Sequence, residues 1–380
     1  MLKAGRILER GSMFKQYRIR DYDFKLIILV VMLALIGVAA VGSAKESLQS
    51  RQLMGVIFGV FLMLVISFFD YTIILKFYLL FYAVNLILLG LVFTPLGNNV
   101  GGATRWLNIF GFQFQPSESA KILLILFFAQ FIMKHKEHLN TFKYITLCLV
   151  LICVPWIMIF KQPDLSTSVT LLMVFCVLIF VGGLSYKVIL GVLAVLIPTA
   201  VIVISLVLQP DQQIIKPYQQ QRIMAFINPQ EYASTTAYQQ LNSITAIASG
   251  QLNGKGYRTN EISSVKNGNY ISEPQTDFIF AVIGEEFGFK GSCIVIILLF
   301  LIAFECISVA RKAKDLAGTL IACGVGTLIA FQGFLNIGVA TMILPNTGLP
   351  LPFVSYGLTS LLSLFMGIGF VLNVRLQCKK

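Results

Sequence analysis

An all-α bundle of about ten membrane-spanning helices, with a long extracytoplasmic loop between the seventh and eighth, is the fold this sequence predicts. Composition is the first reason: of 380 residues, 57% are hydrophobic and 12% charged, with a mean hydropathy of +0.82. Soluble domains run at roughly 45–50% and 25%, and no water-soluble fold hides so much apolar surface. Second, the apolar residues come in uninterrupted blocks of roughly 17–25, the length that crosses about 30 Å of hydrocarbon as a helix. Closed β-barrels, whose strands alternate over about ten residues, are excluded. Third, the net charge of +12 sits mostly in short loops and tails between the blocks, so it reports membrane orientation and not nucleic-acid binding.

The blocks run approximately 24–43, 52–69, 73–94, 118–133, 142–160, 165–183, 187–208, 278–310, 316–344 and 353–374. Lys3, Arg6, Arg10, Lys15, Arg18, Arg20 and Lys25 lead into the first without a small-residue cleavage site. Residues 1–23 therefore read as a retained cytoplasmic tail that can also hold anionic lipid headgroups. One membrane domain over 24–375 and a cytoplasmic tail over 376–380 complete the chain. Alternation from an inside start puts Lys134, Lys136, Lys143, Lys187, Arg311, Lys312, Lys314, Arg375, Lys379 and Lys380 on the cytoplasmic side, while the short outer loops hold Lys45, Arg51, Arg105 and Lys161. That is the positive-inside bias, with both termini cytoplasmic.

Two outer segments exceed simple connections: 95–117, rich in Gly and Asn, and 209–276, rich in Gln, Tyr and Asn. Long loops tend to carry function. The eighth and ninth blocks would make helices of roughly 50 and 44 Å, longer than a bilayer needs. Each is expected to be broken or to lie partly outside the membrane, with candidate breaks at Gly288-Phe289-Lys290-Gly291 and at Asn336-Ile337-Gly338, and broken helices are tolerated where they line a cavity.

An ionisable group in or beside a span is a functional candidate, since a charge at mid-bilayer costs about 2.5–3.5 kcal/mol on insertion scales. Asp277 opens the eighth block, and at helical spacing its face continues through the small residues Ala281, Gly284 and Gly288, which leave room for a ligand cleft. A helix-start acid that only complements the macrodipole is equally consistent with its position. For Glu285, Glu286 and Lys290 an internal ion pair is the preferred account. Glu118 and Lys121 share a face and suit a structural salt bridge, with Arg105 and Trp106 just before them and Asp164 at the same outer level. Together these groups have the composition needed to hold an anionic, lipid-linked substrate and move a proton. The seven cysteines show no CxxC spacing, and His135 with His138 lacks companions for a coordination sphere, so neither a disulfide framework nor a zinc site follows. Gly55, Gly59 and Gly90 suit close helix packing better than lipid grooves.

Several motifs in order along the whole chain resemble the SEDS family (shape, elongation, division and sporulation proteins). They are Gly102-Ala103-Thr104-Arg105-Trp106-Leu107, Gln115-Pro116-Ser117-Glu118 with Lys121, Gln162-Pro163-Asp164-Leu165, Gly254-Lys255-Gly256, Glu273-Pro274-Gln275-Thr276-Asp277 with Gly284-Glu285-Glu286, and Pro345-Asn346-Thr347-Gly348-Leu349-Pro350 with Ser355-Tyr356-Gly357. The resemblance implies a peptidoglycan glycosyltransferase that polymerises lipid II at the outer face of the bacterial cytoplasmic membrane, beside a class B penicillin-binding protein that crosslinks the strands. It implies a catalytic carboxylate at Asp277 and importance for Arg105, Trp106, Glu118, Lys121 and Asp164, with Lys255, Glu285 and Ser355 as further substrate-binding candidates. A divalent cation, Mg²⁺ or Mn²⁺, is expected with such chemistry, although no ligand set is diagnostic of one; no covalent cofactor is expected. Ser166 and Leu358 stand where glycine is common in the family, which implies shifted packing. The tail ending in Asp21-Tyr22-Asp23, and the lack of a Tyr-Ser-Ala-Ser motif closing the first span, look more like the elongation branch, RodA, than the division branch.

In the implied reaction Asp277 takes the proton of the acceptor 4-hydroxyl while Arg105 and Lys121 hold the diphosphates. Inversion by single displacement needs no nucleophilic side chain, consistent with the lack of a Ser/Cys–His constellation on the outer face. Two rivals differ in what they require. A lipid flippase needs a polar path through the inner half, which offers little beyond Asp70, Glu305 and Asn85. A silent scaffold for the crosslinking enzyme needs no carboxylate at 277.

Overall fold

The computed structural model describes residues 22–100, 103–109, 112–188, 217–259 and 270–378, with isolated positions between 190 and 205 and at 264 and 268. Most of the N-terminal tail and the seventh block lie outside the described residues. Nine of the ten apolar blocks are covered, and each holds a helix. Eight are long and apolar enough to span: α1 (Phe24–Ala44), α2 (Glu46–Phe68), α3 (Tyr71–Leu91, with a 3₁₀ turn at Leu75–Phe77), α4 (Pro116–Lys134), α5 (Phe142–Lys161), α9 (Ile279–Lys312), α10 (Leu316–Ala340) and α11 (Leu358–Leu376). The ninth, α6 (Leu165–Val181), is shorter. Two more helices, α7 (Pro217–Ile227) and α8 (Tyr238–Ser249), fall in the long loop.

Carboxylates and a proline mark the starts. Asp23, Asp70, Asp164 and Asp315 each accept a backbone N–H of the first turn, from Leu26, Thr72, Thr167 and Gly318, and Pro116 opens α4 where no N–H is needed. α4, α10 and α11 are mostly buried and form the centre, whereas α3 and α5 turn most of their surface outward. Glycines let α2 and α11 close up: a Cβ on Gly55 would lie 2.6 Å from Leu358 Cδ2, and one on Gly59 2.2 Å from Phe365 Cδ2. The packing account of these glycines therefore holds, and Leu358 fills the space that Gly55 leaves. Inside α5, Pro155 lacks the N–H that would reach the Leu151 carbonyl. The Tyr82 hydroxyl of α3 donates to that carbonyl instead, at 2.9 Å.

The long eighth block is broken where expected. Gly288, at φ 64° and ψ −159°, interrupts α9 and separates an outer piece from the longer inner one. The freed backbone groups are taken up by residues 250–256. Glu285 O and Glu286 O accept from Lys255 N (2.9 Å) and Gly256 N (3.0 Å), while Phe289 N and Lys290 N donate to Gln251 O (2.8 Å) and Leu252 O (3.3 Å). Four of the groups that the break orphans thus find partners in one clasping loop.

The ninth block is not broken at Asn336-Ile337-Gly338. α10 runs through them to Ala340, and the surplus length is used by a non-helical strap, 341–357, that also takes the first five residues of the tenth block. Asn336 is instead a buried residue within a continuous helix, its amide engaged outside the helix, so no backbone bond there needed to open. Segment 95–117 forms an antiparallel sheet in the order β1 (Gly97–Val100), β2 (Ala103–Ile109), β3 (Phe112–Phe114).

Candidate active site at the loop face of the bundle

The sheet, α7, α8, the strap and the start of α9 meet at one end of the bundle, and Asp277 lies among them. In β2 the register steps from Asn98↔Trp106 to Asn99↔Thr104, which leaves Arg105 as the extra residue of a bulge. Its guanidinium turns to the loop between α5 and α6, donating from Nε to Gln162 O at 3.0 Å and from Nη2 to Pro163 O. On the other side Arg222 of α7 donates to Asn346 O of the strap at 3.3 Å.

Asp277 itself is partly buried and stands two residues before α9. Loss of hydration pushes its carboxyl up to about 6; the Arg105 and Arg222 charges pull against that shift, and Glu273 and Asp164 add to it. The strap closes on it from one side. Gly348, at φ +73°, comes so near that a Cβ there would lie 3.1 Å from Asp277 Oδ2. The three carbonyls leading up to the carboxylate are each held by a separate donor: Gln275 O by Tyr356 N (2.9 Å), Thr276 O by Ser355 Oγ (2.6 Å) and Asp277 O by Asn336 Nδ2 (2.8 Å).

Other sequence candidates take different stations. Glu118 and Lys121 form the expected salt bridge at 2.8 Å, with both side chains almost wholly buried, and Lys121 also donates to Gln332 Oε1 at 2.9 Å. Gln332 in turn donates to Pro350 O of the strap at 2.9 Å, so the pair supports the strap from beneath. Asp164 is buried; it caps α6 and lies 3.4 Å from both Gln115 Nε2 and Ser117 Oγ. Trp106 is partly buried in β2. Ser166, one of the departures from the family pattern, bonds to Thr347 O and fastens α6 to the strap.

Two expectations are corrected. Glu285 and Glu286 do not pair with Lys290. Glu285 binds Lys255 at 2.9 Å, Glu286 accepts from Ser43 Oγ, and Lys290 donates to Asn253 Oδ1 at 2.8 Å, because the break at Gly288 turns Lys290 away from the preceding turn. Nor do the small residues after Asp277 leave an open cleft. Ala281 is fully buried; a Cβ on Gly284 would lie 2.9 Å from Ile247 Cγ1, and one on Gly288 2.4 Å from Gly254 N. They admit α8 and the clasp. Arg222 was missed altogether, since it sits in a polar loop helix with only its single positive charge to mark it.

For a metal the residues are a poor fit: among the described residues no group of three or more His, Cys, Asp or Glu could hold an ion.

Fold and site define a multi-pass membrane protein with the ionisable groups of its candidate site gathered at one end of the bundle. The cell cycle protein family of FtsW, RodA and SpoVE matches residues 22–380, and this chain belongs to that family. It is 32% identical to a probable peptidoglycan glycosyltransferase FtsW of Trichlorobacter lovleyi, over 95% of this chain and 94% of that protein. It is likewise 32% identical to the stage V sporulation protein E of Bacillus subtilis, over 93% of this chain and 96% of that one. Among solved structures it resembles a chain from a peptidoglycan synthase complex described for its coordination of polymerization and crosslinking, with TM-score 0.76, 29% identity, and 93% and 97% of the two chains covered. The rod shape determining protein RodA of Thermus thermophilus follows at TM-score 0.68 and 26% identity, with 93% and 96% covered.

Proposed function

We propose that this chain is a peptidoglycan glycosyltransferase that polymerises lipid II at the outer face of the bacterial cytoplasmic membrane, with Asp277 as general base. One observation carries the reading: a carboxylate with its pKa raised to about 6 lies in the field of arginines from two separate elements, on a backbone held by three donors. A base of that strength is ionised at neutral pH and still matched to accepting a proton. Asp277 takes the proton of the acceptor 4-hydroxyl as its oxygen bonds to the donor anomeric carbon. The bond from that carbon to the diphosphate breaks, and undecaprenyl diphosphate leaves with the electron pair. Arg105 and Arg222 stabilise the charge that develops there. Trp106 and Ser355 shape the site; Lys121 with Glu118, Asp164, and Lys255 with Glu285 fix its walls. Among the described residues no three or more His, Cys, Asp or Glu are grouped to hold a divalent ion, so no step is assigned to one.

Of the branches in the family, elongation suits the features of the N-terminal tail, and a class B penicillin-binding protein is the partner that the likeness to a synthase complex supports. A flippase is disfavoured by the inner half, where Asp70 caps α3 and binds Gln377 while Glu305 pairs with Lys25 at 2.7 Å.

Purified protein, alone and with its class B partner, is to be given lipid II and the glycan length read on a gel. Polymer from wild type and none from Asp277→Asn, at equal folding, is the expected result. No polymer from either, with partner and Mg²⁺ present, would refute the transferase reading and redirect attention to lipid translocation.

A further inference from the structure

Asn336 is 1% exposed on α10, one helical turn beyond Gln332 and on the same face. A polar side chain that deep in a membrane helix is costly unless its groups are engaged. Its two amide hydrogens are engaged in an unusual way: Nδ2 donates 2.8 Å to Asp277 O and 2.6 Å to Leu349 O. Leu349 follows Gly348, the strap residue whose backbone abuts the Asp277 carboxylate. One amide therefore joins the backbone that carries the carboxylate to the backbone that it touches. The helix does not compete for the carbonyl, because Ala281 N–H is directed to Phe278 O at 2.9 Å. Asn336 Oδ1 is buried with no hydrogen-bond partner among the described residues, so the donors alone account for an amide at this position. A leucine has the same branched outline and binds neither carbonyl.

We infer that Asn336 is a positioning residue for the Asp277 carboxylate, fixing its height against the strap so that it stays beside Gly348 and in the field of the two arginines. The inference rests on Asp277 being the base. The ionisable groups that act on that carboxylate are Arg105 from β2, Arg222 from α7, Glu273 from its own segment and Asp164 from the start of α6. From α10 the neutral Asn336 meets the Asp277 backbone carbonyl, and from the strap the neutral Gly348 lies beside the carboxylate. Release of the α10 tether frees the carboxylate toward water, which lowers its proton affinity.

The test is lipid II polymerisation in liposomes with the class B partner, followed against pH and substrate concentration for wild type, Asp277→Asn, Asn336→Leu, Asn336→Asp and Gly348→Ala. Both Asn336 variants are expected to lose kcat by about 10- to 100-fold, as for a catalytic group misplaced by about 1 Å, with KM within about twofold of wild type. The acid limb of the rate profile moves to lower pH in Asn336→Leu and to higher pH in Asn336→Asp, whose added carboxyl repels the Asp277 charge. A purely structural role lowers the melting temperature and leaves kcat per folded molecule and the limb in place, and that result would overturn the inference. Gly348→Ala presses on the carboxylate from the strap side without touching the α10 face, so it guards against poor folding of the Asn336 variants. An unmoved limb in every variant that folds overturns the inference too. Wild type without polymer, or Asp277→Asn with full activity, removes the base assignment, and the inference falls with it.

Discussion

Asp277 couples stability and activity to pH in opposite senses. Its folded pKa of about 6 lies above the unfolded value of about 3.9, so between those values the folded chain binds the proton and the unfolded chain does not. Stability then falls as pH rises from about 4 to about 6, because the native state holds more protons there. Activity needs the ionised base and rises through the same window. Asp277→Asn is accordingly expected to raise the melting temperature at pH 7 and flatten its change between pH 4 and 6, while polymerisation is lost; thermal scans at several pH values check this. Glu118 and Lys121 behave differently, as a buried pair. Lys121→Met leaves an uncompensated carboxylate and should cost about 3–5 kcal/mol, and Glu118→Gln combined with it should recover most of that loss in a denaturation series. Both carboxylates were legible in the sequence as charges beside spans. Their difference was not, because position along the chain says nothing about which partner a folded neighbour brings.

The outer piece of α9 is held at its broken end by backbone hydrogen bonds to the clasp, with the Lys255–Glu285 and Lys290–Asn253 side-chain bonds beside them. Gly254 sits at φ +80°, where a Cβ would come within 2.1 Å of Glu286 O, and Gly288 at φ +64°. Gly254→Ala and Gly288→Ala each force the clasp to open, at a cost of about 1–3 kcal/mol from backbone strain before any clash is counted. Lower melting temperature together with reduced polymerisation is the expected outcome, because the clasped piece carries Asp277 at its other end. The Pro155 site permits a double-mutant cycle read by melting. Tyr82→Phe should cost about 1 kcal/mol in the native sequence and much less in a Pro155→Ala background, where the restored N–H satisfies Leu151 O within the helix. The break in α9 could be foreseen from its length and its Gly-Phe-Lys-Gly run. The same reasoning failed for α10, since a surplus of apolar residues can be spent on a strap as readily as on a break.

At the scale of the molecule, the alternation of basic loops predicts that the sheet, α7, α8 and the strap lie outside and the C-terminal tail inside. A cysteine introduced at Asn98 in a chain stripped of its exposed cysteines should react with a membrane-impermeant maleimide on intact cells. Cys378 retained alone should react only after permeabilisation. The reverse pattern would invert the topology and remove the active face from the outer surface. Arg105, Arg222 and Asp277, spread over 173 positions of the chain, come to the same end of the bundle, where the strap meets Arg222 and Asp277 and the loop between α5 and α6 holds Arg105.

The sequence by itself determined that the chain is a helical membrane protein, where nearly every span lies, and that its candidate site residues fall in and beside the loops. These follow from local physics, the length of apolar runs and the cost of charge in hydrocarbon, which each segment obeys without reference to the others. Its motifs also pointed to Asp277. Only the tertiary structure decided that Arg105 is aimed by a bulge, that Arg222 belongs to the site, that Lys121 is committed to Glu118 and Gln332, and that the glycines after Asp277 receive a clasp. Those outcomes depend on contacts between residues far apart in the chain. Hydrogen-bond and packing partners of that kind are chosen by the assembled bundle and leave no periodic trace in the sequence.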